Sequence, residues 1–272
     1  RVGGVQQDDG HAFLREDQLR EELLAHVRVI EEIYDSFGFD VEYVLETKGD
    51  DAIGSEEIWE TATDALRNAL ETEGLEYEVE AGEAAFYGPK IGVNAIDALD
   101  RSWTIGTVQV DFNIPERLDL AYVSEANEQE RPVAIHRALL GSFERFMAVL
   151  IEHFKGNFPT WLAPEQVRVL PISDDQLGYA ESVAADIRAA GFRVEIEDRD
   201  MTVGRKIRAG HDDRVPYMLI VGSDEADAET VSVRDRQERE INDVEPSVFL
   251  DHLRTERDQK SENPYFVPMQ KH

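Results

Sequence analysis

The chain has 272 residues, of which 42% are hydrophobic, and a chain of this length is expected to form two domains of roughly 100–200 residues each. It carries 58 Asp and Glu against 28 Lys and Arg, a formal charge of −30, and it contains no cysteine. Disulfides are therefore excluded. Because the sequence has no stretch of about 18 apolar residues, we expect no transmembrane helix and no membrane partner.

The acidic residues are spread along the chain among periodic apolar residues, unlike an acidic tail or a disordered segment. Such a charge keeps a protein soluble in concentrated salt, whereas in dilute salt its self-repulsion destabilises the compact state. We therefore expect a folded protein from a salt-accumulating cytoplasm, and the charge does not exclude a nucleic-acid partner. The start, RVGGVQQDDGHAF, lacks an initiator Met and a signal-peptide core, so we expect a fragment of a longer protein.

The first half of the chain predicts helices and a run of strands. Apolar residues at helical spacing predict helices over 15–37 and 55–73, the second opened by Ser55 and each followed by glycine. Strands are predicted in DVEYVLET (40–47), YEVE (77–80), IGVNAIDALD (91–100), SWTIGTVQVDFNI (102–114) and PVAIHR (132–137). Successive strands without intervening helices favour an antiparallel sheet, and residues 138–153 are predicted to be helical.

The second half has a different texture. GNFPTWLAPEQ (156–166) contains two prolines and marks the expected domain boundary. Beyond it, strands are predicted at 167–172, 192–197, 216–222 and 230–234, and helices at 175–190, 202–210 and 245–259. This alternation predicts a small α/β domain, and the last residues, KSENPYFVPMQKH, are expected to form a tail.

Residues 136 to 145 combine a histidine, small residues and an arginine. If the segment after His136 is helical, Ala138, Gly141, Ser142 and Arg145 share one face, where small residues would admit a ligand. Arg145 offers a permanently charged fork suited to phosphate. The alternative is a tight contact between helix and sheet, with Arg145 solvated.

Three other stretches place polar side chains where a ligand could be held. In QQDDGHAF (6–13), Gln7, Asp9 and His11 point to one side if the segment is extended, although Asp8 or Asp9 could simply open a turn. AAFYGPK (84–90) is a turn, flanked by its tyrosine and lysine. TIGTVQVDF (104–112) has a glycine inside a strand, which allows close backbone approach, and a glutamine among apolar residues.

Taken together, QDDGH, FYGPK, GTVQVDF, IHRALLGSFERF and FPTWLAP resemble, in order and spacing, the catalytic core of the threonyl-tRNA synthetases, a family of class II aminoacyl-tRNA synthetases. GFRVEIEDRD, GRKIR and RVPYMLIVG resemble the anticodon-binding domain of that family. The resemblance implies an α/β (α+β) protein: an antiparallel class II catalytic core, N-terminally truncated, over 1–158, and a small α/β anticodon-binding domain over 165–272. It also implies ATP-dependent activation of threonine and its transfer to tRNA(Thr).

The resemblance carries roles to individual residues of the core. It implies a zinc ion held by His11 and His136, with a cysteine outside this chain as the third protein ligand. The implied substrate-binding residues are Gln7, Asp9, Tyr87 and Ser142, and the implied ATP-binding residues are Arg1, Gln109 and Arg145, with Mg²⁺ as the nucleotide's metal. Asp9 would accept a hydrogen bond from the hydroxyl of threonine. Valine has no hydroxyl and would leave the Asp9 carboxylate unpaired. Thr104 stands where some relatives carry glutamine and is not assigned to the site.

In the second domain, the resemblance implies that Asp200, Glu225 and Arg234 contact anticodon bases. Asp200 replaces an asparagine of the family, and a carboxylate accepts hydrogen bonds but cannot donate them as an amide does. The basic cluster GRKIR (204–208), which includes Lys206, suits an RNA phosphate backbone, or it is an ordinary solvated helix face. We expect a homodimer of the complete protein, in the cytoplasm.

Two other functions stay open at this stage. A tRNA-binding paralogue could keep the fold without activating an amino acid, and a zinc-binding cysteine upstream would argue against it. Another class II synthetase, for proline, serine or histidine, would also share these motifs. The pair His11 and His136 with Asp9 disfavours this second alternative, because those substrates need no hydroxyl held by metal in this way.

Overall fold

A computed structural model describes residues 3–97 and 101–266. The chain divides between His153 and Phe154 into two compact units. Within the described ranges, no helix is long and apolar enough to cross a membrane.

In its described residues, the first unit contains a six-stranded sheet, a short hairpin and four α-helices. Its strands are β1 (Gly10–Leu14), β2 (Val41–Glu46), β3 (Tyr77–Glu80), β4 (Lys90–Ile96), β5 (Ser102–Asp111), β6 (Tyr122–Val123), β7 (Gln129–Glu130) and β8 (Val133–Ala138). Its helices are α1 (Leu19–Phe37), α2 (Glu56–Glu73), α3 (Asn113–Arg117) and α4 (Phe143–Phe154). The two long predicted helices are therefore confirmed, and each predicted strand overlaps an observed one. Residues 113–114 of the predicted strand 102–114 instead begin α3, and residues 98–100 of the predicted strand 91–100 lie outside the described residues.

The sheet has the order β1-β8-β5-β4-β2-β3, and only the pairing of β2 with β3 is parallel. The predicted antiparallel sheet is confirmed. Helices α1 and α2 pack on each other and on the sheet. On α1 the stripe Leu23, Val27 and Ile30 is buried, so apolar side chains at helical spacing form the core on this side of the sheet.

Both long helices end and begin as their sequences indicate. Ser55 caps α2, because its Oγ accepts a hydrogen bond from the Ile58 N–H at 3.2 Å. Gly38 and Gly74 close α1 and α2 with φ of 67° and 72°, in the left-handed region that favours glycine.

The helix predicted over 138–153 begins later than expected. Ala138 is the last residue of β8, and the helix starts only at Phe143. Between them Gly141 has φ of 60°, and a Cβ there would lie 3.0 Å from the Ile105 carbonyl oxygen. The prediction that Ala138, Gly141, Ser142 and Arg145 share one helical face is therefore wrong, because strand pairing and a left-handed turn take the first part of the segment.

The second unit is a five-stranded sheet with four helices. Its strands are β9 (Val167–Pro171), β10 (Val194–Ile196), β11 (Tyr217–Val221), β12 (Val231–Asp235) and β13 (Glu240–Val244). Its helices are α5 (Leu177–Ala189), α6 (Val203–Asp212), α7 (Ser223–Ala228) and α8 (Pro246–Asp258). The order is β10-β9-β11-β12-β13, with the first three strands parallel. The predicted α/β arrangement is confirmed, whereas α7 and β13 were not predicted.

Part of the expected C-terminal tail packs into the core of the second unit. Phe266 is 3% exposed, and its ring lies 5.6 Å from that of Phe249 and 5.0 Å from that of His252. The Tyr265 N–H donates to Glu256 Oε1 at 3.1 Å. The prediction of a tail is therefore wrong for Phe266, because the core of this small unit buries its ring, whereas Tyr265 is 52% exposed.

Candidate functional site

A row of polar side chains crosses five strands of the first sheet. His11 stands in register with His136, His136 with Gln109, Gln109 with Lys90, and Lys90 with Glu46. In-register residues on adjacent strands project from the same face of a sheet. The pairing of β1 with β8 therefore brings together two histidines that are far apart in the sequence.

The two imidazoles are in edge contact. Their ring centroids lie 4.9 Å apart, and the ring of Tyr87 lies 5.5 Å from that of His136. His11 is exposed, while 22% of the His136 side chain is exposed. Within residues 3–97 and 101–266, no group of three or more His, Asp or Glu side chains could hold a metal ion. The described residues thus supply two imidazole donors and no complete cage.

A buried carboxylate lies behind His136. Asp111 Oδ2 is 2.9 Å from His136 Nε2, and the Asp111 side chain is fully buried. Its Oδ1 accepts hydrogen bonds from the N–H groups of Asn113 at 2.8 Å and Ile114 at 2.9 Å. The sequence analysis did not single out Asp111. The signal was present, since Asp111 follows Gln109 by two residues and so continues a polar line on one face of β5.

The turn that carries Tyr87 is fixed from the same segment. Asn113 Nδ2 donates to the Tyr87 carbonyl oxygen at 2.8 Å. Burial raises the pKa of the Tyr87 hydroxyl, and the carboxylates of Asp111 and Asp9 add to the effect. Tyr87 therefore remains a protonated donor at neutral pH and faces His136.

Gln109 is held in this turn and is 6% exposed. Its Nε2 donates to the Gly88 carbonyl oxygen at 2.8 Å. Only glycine fits at position 88, this close to β5, because a Cβ there would lie 2.0 Å from the Val110 carbonyl oxygen. Gln109 thus joins β5 to the turn.

A cavity of about 470 Å³ opens beside β5. It is lined by Val5, Gln7, Asp9, Thr104, Ile105, Gly106, Thr107, Ala138, Gly141, Ser142 and Arg145. Four of the predicted site residues lie on it: Gln7, Asp9, Ser142 and Arg145. Thr104, which was left unassigned, also lines it. A cavity of this size is typical of small-molecule and cofactor sites.

The loop that forms one wall of this cavity is held from two sides. The Asp8 carboxylate accepts hydrogen bonds from the N–H groups of Leu139 and Leu140, both at 2.9 Å. The Tyr34 hydroxyl donates to the Leu139 carbonyl oxygen. Gly106 leaves room for this hydroxyl, because a Cβ there would lie 2.6 Å from it. The alternative that Asp8 opens a turn is therefore wrong. Asp8 joins the segment before β1 to a distant loop.

Arg145 lies at the rim of the cavity and is exposed. Its Nη1 donates to the Thr104 carbonyl oxygen at 3.1 Å, and its guanidinium lies 5.9 Å from the Trp103 ring. Its backbone N–H donates to Ser142 Oγ at 3.2 Å, so Ser142 caps the first turn of α4. One guanidinium N–H of Arg145 thus binds the carbonyl oxygen of Thr104 in the cavity wall, and the remaining N–H groups can donate to an anion. Arg1, the other arginine predicted to bind ATP, lies outside the described residues.

The residues predicted to bind the anticodon lie in the second unit. Asp200 is exposed in the loop after β10. Glu225 accepts from the Gly222 N–H at 2.9 Å and from Ser232 Oγ at 2.7 Å. Although burial favours the protonated carboxyl, these hydrogen bonds hold the pKa of Glu225 below its usual range.

Arg234 is occupied by acidic neighbours. Its Nη1 lies 3.0 Å from Glu240 Oε2, and its Nη2 lies 3.7 Å from Glu238 Oε2. Its guanidinium is therefore already paired in the absence of a ligand.

Only some of the side chains in the basic cluster 204–208 are exposed. Lys206 is 4% exposed, and its Nζ donates to the carbonyl oxygens of Pro171 and Glu197, both at 2.9 Å. The prediction that Lys206 faces a phosphate backbone is therefore wrong. Arg205 and Arg208 are exposed on α6.

Two different protein families match the two halves of the chain. Residues 1–154 match the tRNA synthetase class II core domain (G, H, P, S and T), and residues 166–256 match an anticodon-binding domain. Among solved structures, the RNA-binding domain of threonyl-tRNA synthetase from Cryptosporidium parvum Iowa II is similar, with a TM-score of 0.86 and 36% identity. The match covers 94% of this chain and 64% of that one.

Curated relatives named threonine–tRNA ligase are also similar. The relative from Natronomonas pharaonis is 55% identical and that from Halobacterium salinarum is 52% identical, each over 98% of this chain. The chain spans only 41% of the length of either relative. With a class II core followed by an anticodon-binding domain, the chain belongs to the class II aminoacyl-tRNA synthetases.

Proposed function

We propose that this protein is a threonine–tRNA ligase, which activates threonine with ATP as threonyl-adenylate and transfers it to tRNA(Thr). In this proposal, residues 1–158 belong to the catalytic core and residues 165–272 form the anticodon-binding domain. The observation that carries it is the contact of His11 with His136 next to Tyr87, on a sheet whose neighbouring cavity contains Asp9. The names of the similar curated proteins support the same substrate.

The donor set fits a zinc ion in part. Two imidazoles in contact, one of them bonded through its second nitrogen to a carboxylate, are typical of zinc ligands in proteins. We propose that the third protein ligand is a cysteine outside this chain, which itself contains none. When bound, zinc would act as a Lewis acid that ligates the amine and hydroxyl of threonine and rejects valine, which has no hydroxyl.

The protein's own side chains would bind and orient the reactants. Asp9 would accept the hydroxyl of threonine, while Gln7 and Tyr87 would bind near its carboxylate and amine. Ser142 would bind where substrate and nucleotide meet, and Arg145 would hold a phosphate of ATP. No side chain needs to act as a nucleophile, since positioning and charge stabilisation by arginine and Mg²⁺ suffice for adenylate formation. Arg1 and Gln109 are proposed as further ATP contacts.

The second unit would bind the tRNA. Asp200, Glu225 and Arg234 are proposed to contact anticodon bases, with Arg234 exchanging an acidic partner for RNA. The exposed Arg205 and Arg208 suit the phosphate backbone. The charge of −30 supports a protein that works in a salt-rich cytoplasm, and we propose that the complete protein is a homodimer.

The test is amino-acid-dependent exchange of pyrophosphate with ATP by the complete gene product in high KCl. Threonine, serine, valine and proline are assayed side by side. We expect strong exchange with threonine, weaker exchange with serine and none with valine. No exchange with any amino acid by folded protein would favour a tRNA-binding paralogue, and exchange with proline would indicate another class II synthetase.

A pair of variants tests the role of His136. His136→Ala is expected to abolish exchange with threonine and to lower the zinc content. His153→Ala is the control, because this histidine of the same unit packs on Phe39 at 4.7 Å and is expected to leave both unchanged. Full exchange by His136→Ala with zinc still bound would contradict the metal assignment.

A further inference from the structure

Asp111 makes three hydrogen-bond contacts with three different groups. Oδ1 accepts from two backbone N–H groups, those of Asn113 and Ile114, and Oδ2 faces His136 Nε2 at 2.9 Å. The side chain is fully buried, so no water competes for these oxygens. The two backbone contacts hold the carboxylate in one orientation, and that orientation presents Oδ2 to the imidazole.

This arrangement determines where the proton of His136 resides. A carboxylate oxygen accepts hydrogen bonds and cannot donate them, so the neutral imidazole must carry its proton on Nε2. The ring nitrogen that stays unprotonated is then Nδ1, and only an unprotonated nitrogen binds a metal ion.

We propose that Asp111 is a positioning residue that keeps His136 in the Nε2–H form and so makes Nδ1 its metal-binding nitrogen. The identity of the metal rests on the proposed function, whereas the placement of the proton rests on the contacts of Asp111 alone. Carboxylates behind a metal-binding histidine typically strengthen metal binding by about 10–100-fold. The same segment also fixes the Tyr87 turn, because Asn113 Nδ2 donates to the Tyr87 carbonyl oxygen at 2.8 Å.

Asp111→Asn separates this role from simple packing. Asparagine has the shape of aspartate but only one acceptor oxygen, and the N–H groups of Asn113 and Ile114 require that oxygen. Its NH₂ group would then face His136 Nε2, which must accept, so the proton moves to Nδ1. The variant thus places a proton on the nitrogen that should bind metal while the fold is retained. Asp97→Asn is the matched control, because the Asp97 side chain is also fully buried in the first unit but bonds Arg101 and Trp103.

The experiment measures zinc affinity by chelator competition on the complete protein in high KCl, for the parent and both variants. Asp111→Asn is expected to bind zinc at least about 10-fold more weakly than the parent, and Asp97→Asn is expected to bind it equally well. Undiminished affinity in Asp111→Asn, with folding verified by circular dichroism, would overturn the inference. Equal losses in both buried variants would overturn it too, because they would show a general effect of packing.

A second readout needs no metal. In zinc-free protein labelled with ¹⁵N-histidine, the His136 signals, assigned by their loss in His136→Gln, are expected to report Nε2–H in the parent and Nδ1–H in Asp111→Asn. Nδ1–H in the parent would overturn the inference even if the variant does not fold. If the parent binds no zinc but shows Nε2–H, the metal proposal fails and the role of Asp111 stands.

Discussion

Lys206 offers a test of whether a basic residue in this acidic chain serves the fold or the RNA. The residue is 4% exposed, and its ammonium group donates to two carbonyl oxygens at 2.9 Å. Lys206→Met keeps most of the apolar stem and removes both donors. Each buried acceptor left without a partner costs about 1–3 kcal/mol, and the desolvation of the ammonium that is relieved offsets part of this. We expect the variant to lower the free energy of unfolding of the second unit by about 2–4 kcal/mol.

The assay is urea unfolding in molar KCl, followed by tryptophan fluorescence, to which Trp161 contributes from the second unit, together with tRNA binding. At a slope of about 2 kcal/mol per molar urea, the loss corresponds to a midpoint lower by about 1–2 M. Arg205→Met is the matched control, because the neighbouring side chain is exposed on the same helix. We expect it to change stability by less than about 0.5 kcal/mol and to weaken tRNA binding. An unchanged midpoint in Lys206→Met with weakened tRNA binding would refute this reasoning and restore the surface role.

Three further predictions concern stability. Burial, aided by the positive charge of Arg137, lowers the pKa of His26, so the unfolded state takes up the proton first as pH falls. The stability that neutral His26 contributes is therefore fully present above the ordinary histidine pKa of about 6.5 and is lost as pH falls below it. In thermal melts at a series of pH values, the Tm of His26→Gln should fall less steeply in acid than that of the parent, and identical profiles would contradict this. Gly141→Ala places a side chain at φ of 60° and should lower the free energy of unfolding, measured with urea, by about 1–2 kcal/mol. The control is Gly178→Ala, where a Cβ meets no atom within 4 Å, and it should not lower the free energy of unfolding. Finally, the charge of −30 predicts a lower Tm and a less cooperative melt when KCl falls from about 2 M to about 0.1 M; an undiminished melt in dilute buffer would argue against a salt-dependent fold.

Features that depend on residues close in sequence could be predicted. The spacing of apolar residues predicts α1 and α2, and Ser55 and Gly74 mark the ends of α2. In the second unit, alternating apolar runs and helical patterns predict the elements of an α/β domain. These signals are short-range, because a cap or an amphipathic face requires only residues within one or two turns.

Features decided by a distant partner could not be predicted. Ala138 looks like the first residue of a helix, but it pairs with Thr107 of β5, and this pairing extends the strand. Lys206 looks like part of a basic surface, yet its partners are the ends of two strands. Phe266 looks like part of a tail, yet it is buried against Phe249 and His252 of α8.

The same limit separates two neighbouring acids in the candidate site. Asp8 and Asp9 are identical side chains in a DD dipeptide, and alternation in an extended segment sends them to opposite sides. Asp8 meets the N–H groups of Leu139 and Leu140, while Asp9 lines the cavity. The Asp8 carboxylate therefore holds the loop that forms the cavity wall, and Asp9 is the acid that we propose for ligand binding. In a chain with 58 acids, neither count nor type identifies the functional one. What distinguishes Asp9 is its place on the cavity wall, whereas the N–H groups of a distant loop bind the acid beside it.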